Sequence, residues 1–444
     1  MSRSPATMNR AAVASLAEER VDWRHKAIPP ALWGKTIEEI RGQQPSLSQF
    51  PTPLLTVSRH ALEHNRDSLA RWCAERGLDL APHGKATMAP QLWQQQLAAG
   101  AWAITVANQA QLAVARAFGV SRIMVANAVT SPVTLRWIAD ELAREPELEI
   151  LVWADAVRTV ELMAETLAAH AAGTVPQNRL GVLVERGGAG GRTGTRDPAT
   201  SLDVANAVAA SPHLRLAGVA GYEGALAHAS DERSREVVRS YLRDLVGDHH
   251  RLDSAGYYDG SVTPVVSAGG SAYFDVVAEE LAGLAGSGTR VVLRSGAYLV
   301  HDDGFYRYIS PLGSEPRTSG PGLVAAMHGW VRVSSQPEPG MALVDAGKRD
   351  LPFDEGLPEV QRLRPRTRQD RAATLSGVEV TALNDQHAFL AFDRGAEAPV
   401  RIGDELRLGL SHPCTAFDKW TLIPVVDDPD ADEPVVVDLL RTWF

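Results

Sequence analysis

At 444 residues the chain is long enough for more than one structural unit, and its 45 % hydrophobic, 22 % charged composition is that of a globular protein. A formal net charge of −10, with no basic run carrying interleaved aromatics, disfavours nucleic acid or an anionic membrane as partner. No apolar run reaches a membrane span, and Glu18, Glu19 and Arg20 break the one N-terminal apolar stretch, so a cytoplasmic protein without a signal peptide is expected.

Residues 1–46 are mixed polar, with helical stretches and a break at Pro29-Pro30. Residues 52–57 read as a strand, and a helix is expected from Ser58 to about Arg76. A rhythm then begins. Apolar strand-like runs fall at 79–82, 102–106, 122–126, 148–154, 179–185, 214–221, 263–267 and 290–294. Helical-period stretches such as 109–118 and 157–170 separate most of them. Eight such units predict a (β/α)8 TIM-type barrel, although a doubly wound open sheet has the same rhythm. Pro311, Pro316, Gly320, Pro321 and Gly322 mark a linker. Beyond it, β-like segments at 323–333, 341–344, 375–383, 388–392, 405–410 and 421–426 carry almost no helical period. The expected organisation is an N-terminal extension with helices over 1–50, a barrel over 51–310 and a mostly β domain over 311–444. The acidic run 427–433 reads as a solvated turn.

Barrel chemistry sits on the loops after the strands' C-terminal ends. The first run leads into Pro82-His-Gly-Lys85, where a lysine at a strand mouth can be partly desolvated and nucleophilic. Thr87 is placed to cap a helix running from Met88 to Gly100. Later ends carry Asn108-Gln109, Asn127, Glu185-Arg-Gly-Gly-Ala-Gly-Gly-Arg-Thr-Gly194, Tyr222-Glu-Gly-Ala-Leu-Ala-His228 and Arg294-Ser-Gly-Ala-Tyr298. Ser267-Ala-Gly-Gly-Ser271 lies between a strand and a helix expected from Tyr273, where glycine N–H groups and a serine hydroxyl can meet an anion. There is no Walker motif and no dinucleotide fingerprint, so a monophosphate suits this turn better than a nucleotide. A phosphate near a reactive lysine points to pyridoxal phosphate. Of the two cysteines, Cys73 reads as a buried thiol and Cys414 as a candidate ligand. His412 and Cys414, two apart in extended backbone, would share one face as half of a zinc-type site. His328 and His387 read as packed or surface residues.

Taken in order, these motifs resemble the fold-type III pyridoxal-phosphate enzymes of the D-serine dehydratase and D-threonine aldolase family. The residues carrying the resemblance are Thr52-Pro with Asn65, Pro82-His-Gly-Lys85, Arg192-Thr-Gly194, Gly221-Tyr-Glu-Gly224, Ser267-Ala-Gly-Gly-Ser271, Gly296-Ala-Tyr298 with Asp302, Asp345-Ala-Gly347 and His412-Pro-Cys414. They span roughly residues 50–425. The resemblance implies an alanine-racemase-like barrel followed by a β domain, in a homodimer, acting on a small D-amino acid. It implies Lys85 as the residue carrying pyridoxal 5′-phosphate. Gly269, Gly270 and Ser271 would hold the phosphate with Tyr298 nearby, Arg192 and Gln109 would lie along the ring's polar edge, and Tyr222 would pack near the ring. It also implies a divalent metal on His412 and Cys414, zinc first, with manganese or another divalent ion as alternatives. The chain departs from the family at Ala86-Thr87-Met88, where members commonly carry Thr-His-Lys.

The activity expected from the resemblance is dehydration of a 3-hydroxy-D-amino acid such as D-serine or D-threonine to a 2-oxo acid and ammonia. Lys85 would take the Cα proton while the metal binds the β-hydroxyl. Retro-aldol cleavage to glycine and an aldehyde is the alternative, and His228 matches the position of the aldolase-type base. His412-Pro-Cys414 resembles the dehydratase metal pair, since aldolases more often carry Asp at the second position. A non-catalytic pyridoxal-phosphate-binding protein resembles a lone barrel, so the extra β domain counts against it. A racemase needs a second base, usually a β-domain tyrosine, and that domain has none after Tyr308.

Overall fold

A computed structural model describes residues 5–170, 179–258, 260, 262–364, 373–395 and 397–444. Residues 1–4 of the expected N-terminal extension lie outside these. Among the described residues no helix is long and apolar enough to cross a membrane.

The first strand, β1 (Leu54–Ser58), is followed by helix Arg59–Glu75, which the Ser58 hydroxyl caps. Eight parallel strands then alternate with helices: β2 (Asp79–Leu80), β3 (Ile104–Val106), β4 (Arg122–Ala128), β5 (Glu149–Ala154), β6 (Leu180–Arg186), β7 (Leu214–Gly221), β8 (Val265–Ala268) and β9 (Arg290–Leu293). They pair in sequence order, and β9 returns to β2. The remaining seam is closed by Trp102 N–H to Leu80 O (2.7 Å), Thr105 N–H to Pro82 O (2.9 Å) and a parallel bridge between His83 and Thr105. The eight expected runs thus form a barrel and not an open sheet. Alternation explains why each run is apolar throughout: on β5, Leu151 and Trp153 fill the interior with Met124, Leu183 and Val292, while Ile150 and Val152 face the helices.

The C-terminal region builds a second sheet from β10 (Met327–Ser335), β11 (Met341–Val344), β12 (Glu359–Arg364), β13 (Ala373–Thr374), β14 (Glu379–Leu383), β15 (Ala388–Ala391), β16 (Glu405–Gly409), β17 (Leu422–Val426) and β18 (Val436–Arg441). Here the structure departs from the expected division at residue 51. Strand β1 does not join the barrel. It lies in the second sheet, antiparallel to β10 (Leu54 opposite Trp330) and parallel to β17 (Val57 opposite Val425). The N-terminal extension packs there too: Val21, Ile28, Ile37, Ile40, Leu47 and Phe50 form one buried core with Trp330, Leu422 and Leu439. Burial of these apolar side chains favours the placement, while the start of the extension packs on the barrel, Val13 and Leu16 against Phe118.

The helix expected from Met88 also begins later. Met88 takes φ +43° and the helix spans Pro90–Ala98, with Pro90 at its first turn, so Thr87 is buried and caps nothing.

Candidate active site

The C-terminal ends of the barrel strands open into a cavity of about 310 Å³ that residues of the β domain also line. That is the scale of a small-molecule site. Lys85 enters it from a 3₁₀ turn, Gly84–Ala86, just past β2. Gly84 lies so close to the buried Trp93 that a Cβ there would come 2.9 Å from the indole, which fixes the direction in which Lys85 leaves the chain. His83 shares the wall. Burial, with the positive charges of Lys85 and Arg294, holds its imidazole well below the ordinary pKa, so it is neutral at pH 7.

Strand β6 and its loop supply Glu185, Arg192 and Thr193. Glu185 accepts from the Thr193 hydroxyl at 2.6 Å, and burial raises its pKa. The loop turns at Gly194, whose φ of +102° and a Cβ position 2.2 Å from Gly187 N admit only glycine. Its N–H donates to Asp155 at 2.9 Å. The loop carries Arg192 over the Tyr222 ring, 4.7 Å from the centroid. Tyr222 is pushed by burial up to about 12 and presents a protonated hydroxyl. On the facing side Arg294, itself buried, lies 4.7 Å over Trp153 and donates to Ser267 Oγ at 2.6 Å.

The Gly-Gly-Ser turn differs from expectation. The Gly269 and Gly270 N–H groups, predicted for a phosphate, donate to Glu223 Oε2 at 3.0 Å and Oε1 at 2.6 Å. Only Gly270 and Ser271 of this turn line the cavity, and beside them runs a second turn of Gly296 and Ala297. A Cβ on Gly270 would lie 2.9 Å from the Tyr222 ring, and one on Gly296 2.5 Å from His83 O, so both turns make a close-walled cradle.

From the β domain come His412 and Cys414. Their common direction does not arise from extended backbone, as predicted. His412 is left-handed (φ +55°) and Cys414 opens the helical turn Cys414–Phe417. His412 Nδ1 hydrogen-bonds Asp354 Oδ2 at 2.6 Å, leaving Nε2 for the Cys414 side, the arrangement of a metal-ligating histidine. Burial lowers the His412 pKa, but the Cys414 sulfur and the Asp354 carboxylate prevail and raise it to about 9. One imidazole and one thiolate suit a borderline-soft divalent ion. The His412 N–H donates to Asp302 Oδ2 at 3.0 Å, and Asp302 Oδ1 accepts from Tyr306 N–H at 2.8 Å. Burial raises Asp302 to about 6.

The cavity therefore unites Lys85, Arg192, Tyr222, Gly270, Ser271, His412 and Cys414. Four predicted residues stand outside it. Gln109 is the exposed first residue of helix Gln109–Ala117, and His228 is exposed in its loop. Gly269 lies behind Glu223, and Tyr298 is buried with its hydroxyl accepting from Gln96 at 2.9 Å. Sequence reasoning missed Trp153, Glu223, Tyr306 and Asp354 as site residues. Glu223 sits within the quoted Gly221-Tyr-Glu-Gly224 motif, and Tyr306 follows Asp302 by four residues; Trp153 and Asp354 carry no local signal.

A family model described as a putative serine dehydratase domain matches residues 326–426. D-threonine aldolase of an Arthrobacter species is 26 % identical over 385 residues, 86 % of this chain and 90 % of that protein. Among solved structures, D-threonine aldolase from Filomicrobium marinum aligns with a TM-score of 0.71 at 22 % identity, covering 90 % of this chain and 97 % of that one. D-threo-3-hydroxyaspartate dehydratase from Delftia sp. HT23 aligns with a TM-score of 0.68 at 21 % identity, covering 90 % and 99 %.

Proposed function

The chain belongs to the fold-type III pyridoxal-phosphate family of D-serine dehydratases and D-threonine aldolases, and on that premise we propose that it is a D-amino-acid dehydratase. It would convert a 3-hydroxy-D-amino acid to a 2-oxo acid and ammonia. The residues present fit the cofactor that the family implies. Lys85 offers an amine, Tyr222 and Trp153 offer flat walls, and Ser271 with the Gly296–Ala297 turn offers a close-walled cradle. His412 and Cys414 fit a divalent ion, zinc first. When bound, the cofactor supplies an electron sink for charge at the substrate's Cα, and the ion supplies Lewis acidity for its β-oxygen.

The chain's own groups do the rest. Lys85 would hold the cofactor through its amine and, as a free amine, would take the substrate's Cα proton. Arg192, laid over the Tyr222 ring in the cavity wall, would bind anionic oxygens of the bound molecules. Tyr306 reaches the cavity between the barrel and His412, where its protonated hydroxyl can donate to a substrate oxygen. His83, held neutral, adds no positive charge beside the Lys85 amine.

The observation carrying the dehydratase reading is the pairing of Cys414 with His412 inside the cavity, while His228, the residue matching an aldolase base, is exposed outside it. Retro-aldol cleavage is the second reading, favoured by the Arthrobacter and Filomicrobium relatives, both D-threonine aldolases by name. Protein supplied with pyridoxal phosphate should carry a visible absorption band, and Lys85→Ala should lack both band and turnover at an unchanged melting temperature. A colourless wild type, or an active Lys85→Ala variant, overturns the assignment.

A further inference from the structure

Two successive backbone N–H groups with a left-handed residue between strand and helix form a concavity that draws anions. Gly269 (φ +94°) and Gly270 make such a concavity at the edge of the cavity, and it is already filled. Glu223, with no solvent exposure, sets one carboxylate oxygen on each N–H, at 3.0 and 2.6 Å. A carboxylate so deeply buried persists only where it is paired. Besides the two N–H groups, the Arg294 guanidinium provides countercharge, and it braces the neighbouring strands through Ser267 Oγ and Gly221 O. The opposite edge of the turn is pinned as well. Ser295 Oγ donates to Gly270 O at 3.0 Å and Arg294 N–H to Gly269 O at 3.0 Å. No side chain fits at Gly270, whose Cβ would meet Tyr222 at 2.9 Å and Glu223 Oε1 at 3.4 Å.

From this arrangement we infer that Glu223 is a positioning residue for the phosphate end of the site. It occupies the Gly269–Gly270 concavity permanently, so that the phosphate is received one residue later, by Ser271 and the Gly296–Ala297 turn. The inference rests on the cofactor assignment above. Its sign is not trivial. As a nearby negative charge Glu223 repels a phosphate, so only a positional role predicts that neutralising it weakens phosphate binding.

The test uses Glu223→Gln, which keeps the size and one acceptor but turns an amide N–H₂ toward a backbone N–H. Apoprotein is titrated with pyridoxal phosphate and, separately, with pyridoxal, which lacks only the phosphate, and the visible band is followed. Wild type should favour the phosphorylated form. Glu223→Gln should lose on the order of tenfold in pyridoxal-phosphate affinity while its pyridoxal affinity stays within about twofold. A general loosening of the fold would lower both affinities together. Should Glu223→Gln not fold, as judged by its melting curve, Glu223→Asp withdraws the same charge by one methylene and is read in the same way. An unchanged ratio of the two affinities, or tighter pyridoxal-phosphate binding in the variant, overturns the inference alone. A wild type that binds neither compound overturns it together with the cofactor assignment.

Discussion

Asp302 should be the residue whose loss separates the two halves of the site. Its carboxylate is 1 % exposed and holds three backbone N–H groups: Gly304 at 3.1 Å and Tyr306 at 2.8 Å on Oδ1, and His412 at 3.0 Å on Oδ2. One side chain therefore fixes a barrel-end tyrosine and the β-domain histidine proposed to hold a metal together. His412 pays for its left-handed backbone with roughly 1–2 kcal/mol, strain that the Asp302 bond helps to hold. Asn at 302 has the same shape. Its carbonyl oxygen can keep Gly304 and Tyr306, but its amide then meets the His412 N–H donor to donor. One lost charge-assisted bond and one buried unsatisfied donor cost about 2–3 kcal/mol. Released from its anchor, His412 should bind metal about 10–100-fold more weakly. Urea unfolding measures the first effect and chelator competition the second. An Asp302→Asn protein that loses stability but holds metal as the wild type does would refute the reasoning, because Asp302 would then be structural only.

Other consequences follow from packing and from buried histidine. Gly84→Ala places a methyl 2.9 Å from the Trp93 indole and should cost about 1–3 kcal/mol, with a weakened cofactor band because Lys85 moves with the turn; unchanged melting and colour would count against it. His249, which does not line the cavity, bonds Tyr258 OH at 3.1 Å and Thr289 Oγ1 at 3.0 Å, and burial lowers its pKa to about 4 from an ordinary 6.5. The folded state resists a proton that the unfolded chain accepts, so stability from this group is complete above pH 6.5 and falls as pH drops toward 4, by up to about 3 kcal/mol. Urea unfolding of His249→Gln should show a shallower loss over that window, and parallel curves for variant and wild type would contradict it.

Much of the barrel was legible because parallel strands buried on both faces read as short apolar runs, and all eight fell where those runs lie. Strand β1 was misplaced because its sequence differs in no local way from a barrel strand; its partners, β10 and β17, lie about 270 and 370 residues away in sequence. Pro90 was a visible first-turn signal that Thr87 overshadowed. Lys85, Arg192, Tyr222, His412 and Cys414 could be named from motifs because each lies beside a turn that needs particular residues. The filled Gly269–Gly270 concavity could not be seen, since Glu223 reaches it from 46 residues upstream. The common direction of His412 and Cys414 was reached for the wrong reason. A left-handed backbone held by Asp302 produces it.

The most direct test is the fate of one substrate. D-threonine, given to protein loaded with pyridoxal phosphate and a divalent metal, can be deaminated, by loss of water and then hydrolysis of the resulting enamine to release ammonia, or break between Cα and Cβ. The account predicts 2-oxobutanoate and ammonia in equal amounts, abolished by Lys85→Ala. Glycine and acetaldehyde as the products would contradict it.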